Sequence, residues 1–444
     1  MSQSLRELGM DLLEDHQFER ALGVFAEAVR RTPEDHRSRM MAARCLASLG
    51  ERERAVTALH ACAEGLLRRD YLLSAIAACR QALELSPAEK RVRETLSRIH
   101  ARAVRAAPGR ARVPPPLPPE TLYDGHVEQD LMTLLGEELS DRAIEVLAAP
   151  DARGQASPDA RPPLPLFVDL EREAFVDLVT RMGYREVKAG EVLSAEGGGG
   201  DALAIHVVVA GRAKVVRRVE GQERTLGALG GGSIFGELSL LTGASPTATV
   251  TAEVDTELFE LRREHLNAVA KQHPGVMEAL AGFAQQRMSR NLMATSPLFQ
   301  QLPEEDRARL YQRFSFRALQ PGEKALVEGE PASGLFLVLA GELVVQKEDP
   351  AGGAVSLGIL REGDVAGEIS LLAGVRATAT VVATRKTATA FMARTAFTEL
   401  LREFPEAQKY LEGLRDRRLR EIGEALRPME ILDADELVMD GGKA

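Results

Sequence analysis

The sixteen-residue phrase FGELSLLTGASPTATV, Phe235 to Val250, returns as AGEISLLAGVRATATV, Ala366 to Val381. The offset is 131 residues, so the second half of the chain reads as a tandem repeat of a whole domain rather than of one loop. In each copy a Gly-Glu pair precedes a short apolar run, which predicts a tight turn into a brief helix whose free amides can face an anion. The Thr-Ala-Thr-Val that follows alternates like a strand. Glycine lets backbone approach a ligand closely, and a buried carboxylate at Glu237 or Glu368 is suited to accept hydrogen bonds from sugar hydroxyls. The combination fits a phosphorylated sugar.

Upstream of each phrase the pattern is again shared. Residues 189–216 give two short alternating apolar strands around a glycine-rich turn, and residues 320–345 repeat that order. Pro165-Leu-Phe-Val-Asp-Leu and Pro297-Leu-Phe-Gln-Gln-Leu-Pro open the two units, and amphipathic stretches near 262–292 and 394–420 close them. Strand, turn, strand, turn, Gly-Glu phrase and flanking helices together resemble the cyclic-nucleotide-binding domain family over roughly residues 164–420. The resemblance implies cyclic AMP or cyclic GMP as ligand, with the Gly-Glu phrase as phosphate-binding cassette and its glutamate on the ribose 2′-hydroxyl. The first site would then comprise Gly236, Glu237, Leu238, Ser239 and Thr247. The second would comprise Gly367, Glu368, Ile369, Ser370, Arg376, Ala377 and Thr378.

The family pattern also carries an arginine nine residues after the glutamate, paired with the cyclic phosphate. Here that position is Pro246 in the first cassette and Ala377 in the second, with Arg376 one residue early. Proline has neither charge nor N–H, so the guanidinium clamp is absent from the first cassette. The expectation is a degenerate first site. At the second, two readings stand: Arg376 reaches the phosphate, or the one-residue shift turns it outward.

The N-terminal hundred residues follow a different period. Leu8, Gly9, Leu12, Phe18, Ala21, Phe25, Ala28 and Pro33 have the small-and-large spacing of paired antiparallel helices and resemble the tetratricopeptide repeat. Leu46, Gly50, Ala55 and Leu59 suggest a second hairpin, and Ala75, Cys79, Ala82 and Pro87 a third, with residues 88–105 as a capping helix. Three stacked hairpins are about the minimum for stability. Such a stack implies a protein partner, the alternative being a bundle that only packs on the rest of the chain. Between the halves, residues 106–120 are proline-rich and read as an extended spacer or a polyproline ligand. A helix over 127–148 carries an apolar stripe of Leu131, Leu134, Leu135, Leu139 and Leu147. It is expected to lie on the first β-roll, or else to dock or dimerise, which leaves a homo-oligomer open.

Composition narrows the function. Cys45, Cys62 and Cys79 have no CxxC spacing and read as small buried residues, and the eight histidines form no ligand pair, so no metal site and no cofactor are expected. No Walker loop, kinase catalytic element or nucleophile elbow is present, so no catalytic residue is assigned and the chain reads as non-enzymatic. No signal peptide and no apolar run of about 20 residues is visible, which predicts a cytoplasmic protein with no membrane partner. Net charge is −10, with residues 1–112 holding 20 Lys+Arg against 15 Asp+Glu and the remainder 36 against 51. An acidic β-roll pair argues against nucleic acid as a partner. The segment after the second roll is too short for a helix-turn-helix domain, and its Arg415, Arg417, Arg418 and Arg420 read as a solvated helix face.

The expected architecture is multidomain, α followed by α+β. A helical-hairpin stack resembling tetratricopeptide repeats spans 1–105, and a linker with one short helix spans 106–163. Two jelly-roll-like β-rolls with flanking helices cover 164–293 and 294–420, and an acidic tail 421–444. In outline this is similar to the regulatory subunits of cyclic-AMP-dependent protein kinase, although the linker lacks an Arg-Arg-x-Ser or Arg-Arg-x-Ala inhibitor sequence. Two functions follow: a cyclic-nucleotide sensor, acting through the second site, that controls the interactions of the helical domain, or a ligand-independent scaffold built on retired sensors.

Overall fold

The structure, a computed structural model, describes residues 4–104, 130–150, 167–198, 204–219, 222–243, 245–348 and 354–436. The proline-rich stretch 106–120, residues 127–129 of the expected linker helix and the last eight residues lie outside these.

Six helices come first: α1 (Leu5–Glu14), α2 (Phe18–Arg31), α3 (His36–Ser48), α4 (Arg52–Arg68), α5 (Leu72–Leu85) and α6 (Lys90–Val104). Each packs on the next, as short connections require of antiparallel neighbours. The small residues of the repeat-like pattern are where helices approach: a Cβ on Gly9 would lie 2.6 Å from the Phe25 ring. Ser4 caps α1 in a box with Glu7, and Asp35 caps α3 through the Ser38 amide. This region is consistent with the helical-hairpin stack anticipated from spacing. Cys45, Cys62 and Cys79 are all buried in it, and burial pushes the Cys45 and Cys62 thiols up to about 12.

The linker helix forms as α7 (Asp130–Thr133) and α8 (Gly136–Ala148). It does not lie on the first β-roll. It packs against α2 and α4, with Leu131, Leu139, Ala143 and Leu147 buried and Leu135 exposed. The reason is chemical: Arg39 of α3, itself buried, donates to the carbonyls of Leu147 and Ala149 at 2.6 and 3.0 Å. The carbonyls at the helix end, which lack intrahelical donors, thereby find one in the Arg39 guanidinium.

The first β-roll consists of α9 (Arg172–Arg181), β1 (Gly183–Val187), β2 (Val192–Ser194), β3 (Ala204–Ala210), β4 (Arg212–Val219), β5 (Gln222–Gly230), β6 (Ile234–Phe235), α10 (Glu237–Thr242), β7 (Thr249–Ala252) and β8 (Thr256–Arg262), then α11 (Arg263–Ala270) and α12 (Gly275–Thr295). The second repeats it with α13 (Pro297–Gln300), α14 (Glu304–Tyr311), β9 (Ser315–Leu319), β10 (Lys324–Leu326), β11 (Gly334–Ala340), β12 (Leu343–Glu348), β13 (Ala354–Leu360), β14 (Val365–Ala366), α15 (Glu368–Ala373), β15 (Thr380–Ala383), β16 (Thr387–Ala393), α16 (Arg394–Glu403) and α17 (Pro405–Glu436). Sheet orders β1-β8-β3-β6 and β2-β7-β4-β5 recur as β9-β16-β11-β14 and β10-β15-β12-β13. The sequence repeat is therefore a repeat of topology. Helix α17 continues to Glu436, through residues expected to form a tail.

By compactness the chain divides into two units. The first joins the helical region to most of the first roll (Met1–Leu193, Ala204–Phe235, Val250–Ala281). Within it α5 packs on β1 and β3, and α5 and α6 pack on α9. Arg80 donates to the Met182 carbonyl, His100 bonds the Leu170 carbonyl at 2.9 Å, and Asp177 lies 3.2 Å from His273 and 3.8 Å from Arg93. The second unit holds Ser194–Leu203, Gly236–Thr249 and Gly282–Ala444, and so includes the first cassette helix α10. Its strand β11 supplies two cores, as period-two alternation allows. Leu335 and Leu337 join Leu298, Phe299, Phe397 and Leu411 on the helical side, while Phe336 and Val338 join Leu343, Val381 and Phe391 inside the roll.

Gly334 opens β11 where a Cβ would fall 2.1 Å from the Met392 carbonyl oxygen. Gly334→Ala is expected to lower stability by about 1–3 kcal/mol through overpacking. Gly413→Ala on α17, where nothing lies within 4 Å, is expected to raise it by up to about 1 kcal/mol through helix propensity. Chemical denaturation of both variants checks the pair.

Candidate functional site

The second Gly-Glu phrase folds as anticipated locally. Gly367 sits at φ 99°, a left-handed conformation, and a Cβ there would meet the Gly334 carbonyl oxygen at 2.6 Å, so only glycine fits. The turn delivers Glu368 as the first residue of α15 and buries its side chain almost completely, at 1% exposure. Gly236 repeats the turn at φ 85° and Glu237 is likewise buried.

In the second unit a cavity of about 390 Å³ opens beside this turn. Gly367, Glu368, Ile369, Ser370, Ala377 and Thr378 line it, together with Leu326, Val345 and Ile359 from the strands and Tyr410, Leu414, Arg417 and Arg418 from α17. Six of the seven residues singled out from sequence for the second site thus meet in one cavity.

Arg376 is not part of this lining. It is exposed, its backbone bridges Pro331, and its guanidinium donates to the Gly329 carbonyl at 2.8 Å. Ala377, 5% exposed, holds the position facing the cavity. Its amide donates to Glu330 and its carbonyl accepts from Gly329, which locks the strand segment in that orientation.

The cation beside Glu368 comes instead from α17. Arg418 Nη1 lies 2.5 Å from Glu368 Oε1 and donates to the Val365 carbonyl at 2.7 Å. Sequence reading placed Arg418 on a solvated helix face, and the structure corrects this. Leu411, Leu414 and Arg418 fall at i, i+3 and i+7, one face of a helix, and the two leucines are buried. Burial also pushes the phenol of Tyr410, on the same helix, above its ordinary value.

The first cassette has the same pairing in looser form. Arg287 of α12 lies 3.4 Å from Glu237, and Leu238 packs against the helical-side core of the second unit. Arg287 and Arg418 each follow their glutamate by 50 residues, so the 131-residue repeat extends to the C-terminal helices. That correspondence was the available signal for Arg418. Pro246 keeps one of the two bonds of its counterpart, its carbonyl accepting from Gly197 at 2.9 Å, and lacks the N–H for the other. Ser239 is buried and Thr247 half-buried. Among the described residues no three His, Cys, Asp or Glu side chains are grouped to hold a metal ion, and no helix is long and apolar enough to cross a membrane.

Burial raises the Glu237 carboxyl above its ordinary value, with Arg287 opposing the shift. A carboxyl whose folded pKa exceeds its unfolded one costs stability as pH rises from the unfolded towards the folded value, and the cost is full above the latter. Glu237→Gln is therefore expected to raise Tm at pH 7, with the gain shrinking as pH falls through the carboxylate range. Calorimetric scans of both proteins across that range check it.

The family model for the cyclic nucleotide-binding domain matches residues 184–273 and 316–404. The cAMP-dependent protein kinase regulatory subunit of Blastocladiella emersonii is 28% identical over 236 residues, 53% of this chain and 56% of that one. The corresponding subunit of Colletotrichum orbiculare is 30% identical over 183 residues, 41% and 44% of the two chains. The regulatory domain of Toxoplasma gondii PKA with cAMP is a solved structure 22% identical, covering 57% of this chain and 92% of that one at a TM-score of 0.28. The chain spans about half the length of the curated relatives it matches. It carries two cyclic nucleotide-binding domains in tandem and, over that part, resembles the regulatory subunits of cAMP-dependent protein kinase.

Proposed function

We propose that this is a non-enzymatic regulatory protein whose second β-roll binds a cyclic nucleotide, cAMP or cGMP, and thereby controls what its helical domain contacts. The observation that carries the reading is the cavity of the second roll, where Glu368 is held by Arg418 of the C-terminal helix. A buried carboxylate cannot be left alone when its partner departs. A ribose hydroxyl supplies a replacement donor, and the anionic cyclic phosphate supplies an acceptor for the released guanidinium. Ligand entry thus exchanges one set of charge-assisted bonds for another. The exchange loosens the Glu368 tether on α17 while the helix keeps its apolar seat through Leu411 and Leu414. A ligand shifts such an equilibrium only by its differential affinity for the two arrangements, and the Glu368–Arg418 pair is where that difference arises.

The second reading, a ligand-independent scaffold, is favoured by Pro246 and Ala377 at the phosphate-arginine positions and by the packing of the helical region on the first roll. Under it the rolls serve as rigid docking platforms.

Calorimetric titration with cAMP and cGMP separates the two. Under the sensor reading the wild-type chain binds one equivalent, Glu368→Ala abolishes binding and Arg376→Ala leaves it unchanged. Ala377→Arg restores a guanidinium facing the cavity and tightens binding by about 10- to 100-fold, the equivalent of one charge-assisted contact of about 1.5–3 kcal/mol. No heat and no thermal stabilisation at millimolar nucleotide, in wild type and Ala377→Arg alike, would leave the scaffold.

A further inference from the structure

The seat of α7 and α8 on the helical region has the chemistry of a receptor for a helix. Three features build it. Gly23 of α2 lets the α7 backbone come so close that a Cβ there would lie 2.6 Å from the Leu131 carbonyl oxygen. Leu139, Ala143 and Leu147, spaced by four, lay one stripe of α8 onto α2 and α4. Arg39, 2% exposed, reaches the end of α8 and donates to two of its terminal carbonyls. A buried guanidinium aimed at helix-terminal carbonyls recognises where a helix stops, since those groups lack intrahelical donors. At the rim Arg54 pairs with Asp141.

Charge complements the fit. The seated helix carries Glu137, Glu138, Asp141 and Glu145 against Arg142, whereas the helical region is basic on balance. In sequence, 25 residues (105–129) lie between α6 and this segment and 16 (151–166) follow Pro150.

We propose that the α2–α4 face with Arg39 is a binding site for an acidic amphipathic helix of a partner protein. That helix carries the Leu-x3-Ala-x3-Leu stripe and ends at Arg39, and this chain's own α7–α8 occupies the site in its absence. The proposal rests on the reading of the helical region as an interaction module and names the class of partner. Residues 130–149 are the resident competitor.

The test uses the full chain without nucleotide, so that its failure leaves the reading of the second cavity untouched. A fluorescein-labelled peptide of residues 130–150 is titrated by anisotropy. Wild type is expected to bind it weakly. Leu139→Asp/Leu147→Asp, which unseats the resident helix, is expected to bind at least tenfold more tightly, and adding Arg39→Gln is expected to return binding to the weak level. Independently, hydrogen exchange on wild type is expected to show α8 amides opening faster than those of α2 and α4. Co-exchange of α8 with α2 and α4 would make it an integral core helix and overturn the proposal, whether or not the double variant folds. A folded double variant that ignores the peptide would do the same. A wild-type dimer that dissociates on the double substitution would make a second copy the occupant and also overturn it.

Discussion

A carboxylate removed from water must be neutralised or hydrogen-bonded, and Glu368 is such a group at the centre of the second roll. The glycine turn that places it cannot be relaxed, because Gly367 is left-handed and its α-carbon faces the Gly334 carbonyl. The charge is therefore fixed by the backbone, and the surroundings must answer it. The answer is Arg418, brought from the far end of the domain on α17. The C-terminal helix is thus held by an apolar face at Leu411 and Leu414, and by one ion pair inside the cavity. The second of these is the one that a polar ligand can replace.

The same arrangement at Glu237 shows what happens when the pair is slack. Its partner Arg287 is 3.4 Å away, and burial prevails over that attraction in raising the carboxyl. Pro246 has no N–H, so this cassette lacks one of the two backbone bonds that Ala377 makes in the second. The first cassette is still not idle, because Leu238 next to Glu237 packs into the helical-side core of the second unit. The turn and the apolar run thus have a packing role of their own, apart from any ligand.

Legibility in the sequence followed the range of the interactions involved. The rolls could be read because period-two strands, glycine turns and the Gly-Glu phrase are local, and because a second copy repeats them in order. The residues that line the second cavity from the cassette were read for the same reason. Arg376 was ambiguous because a strand residue one place along faces the other way, and the Gly329 carbonyl that engages it is 47 residues distant. Arg418 was misassigned because a run of arginines reads as solvated until its phase with Leu411 and Leu414 is checked. The seat of α8 was misplaced for a third reason. An apolar stripe says that a helix is covered but not by what, and the deciding partner, Arg39, lies 108 residues away from Leu147.

Arg39 and Arg418 bond different acceptors in the same way: a guanidinium, buried at Arg39 and half-buried at Arg418, donates to groups on a distant segment of chain. Such contacts are strong when complete and costly when half-made. Apolar packing alone would allow α8 or α17 to slide, whereas a guanidinium that needs particular oxygens makes the seated and unseated arrangements discrete. In this chain the arginines that make these contacts stand on helices, whereas the cassette positions carry Pro246 and Ala377.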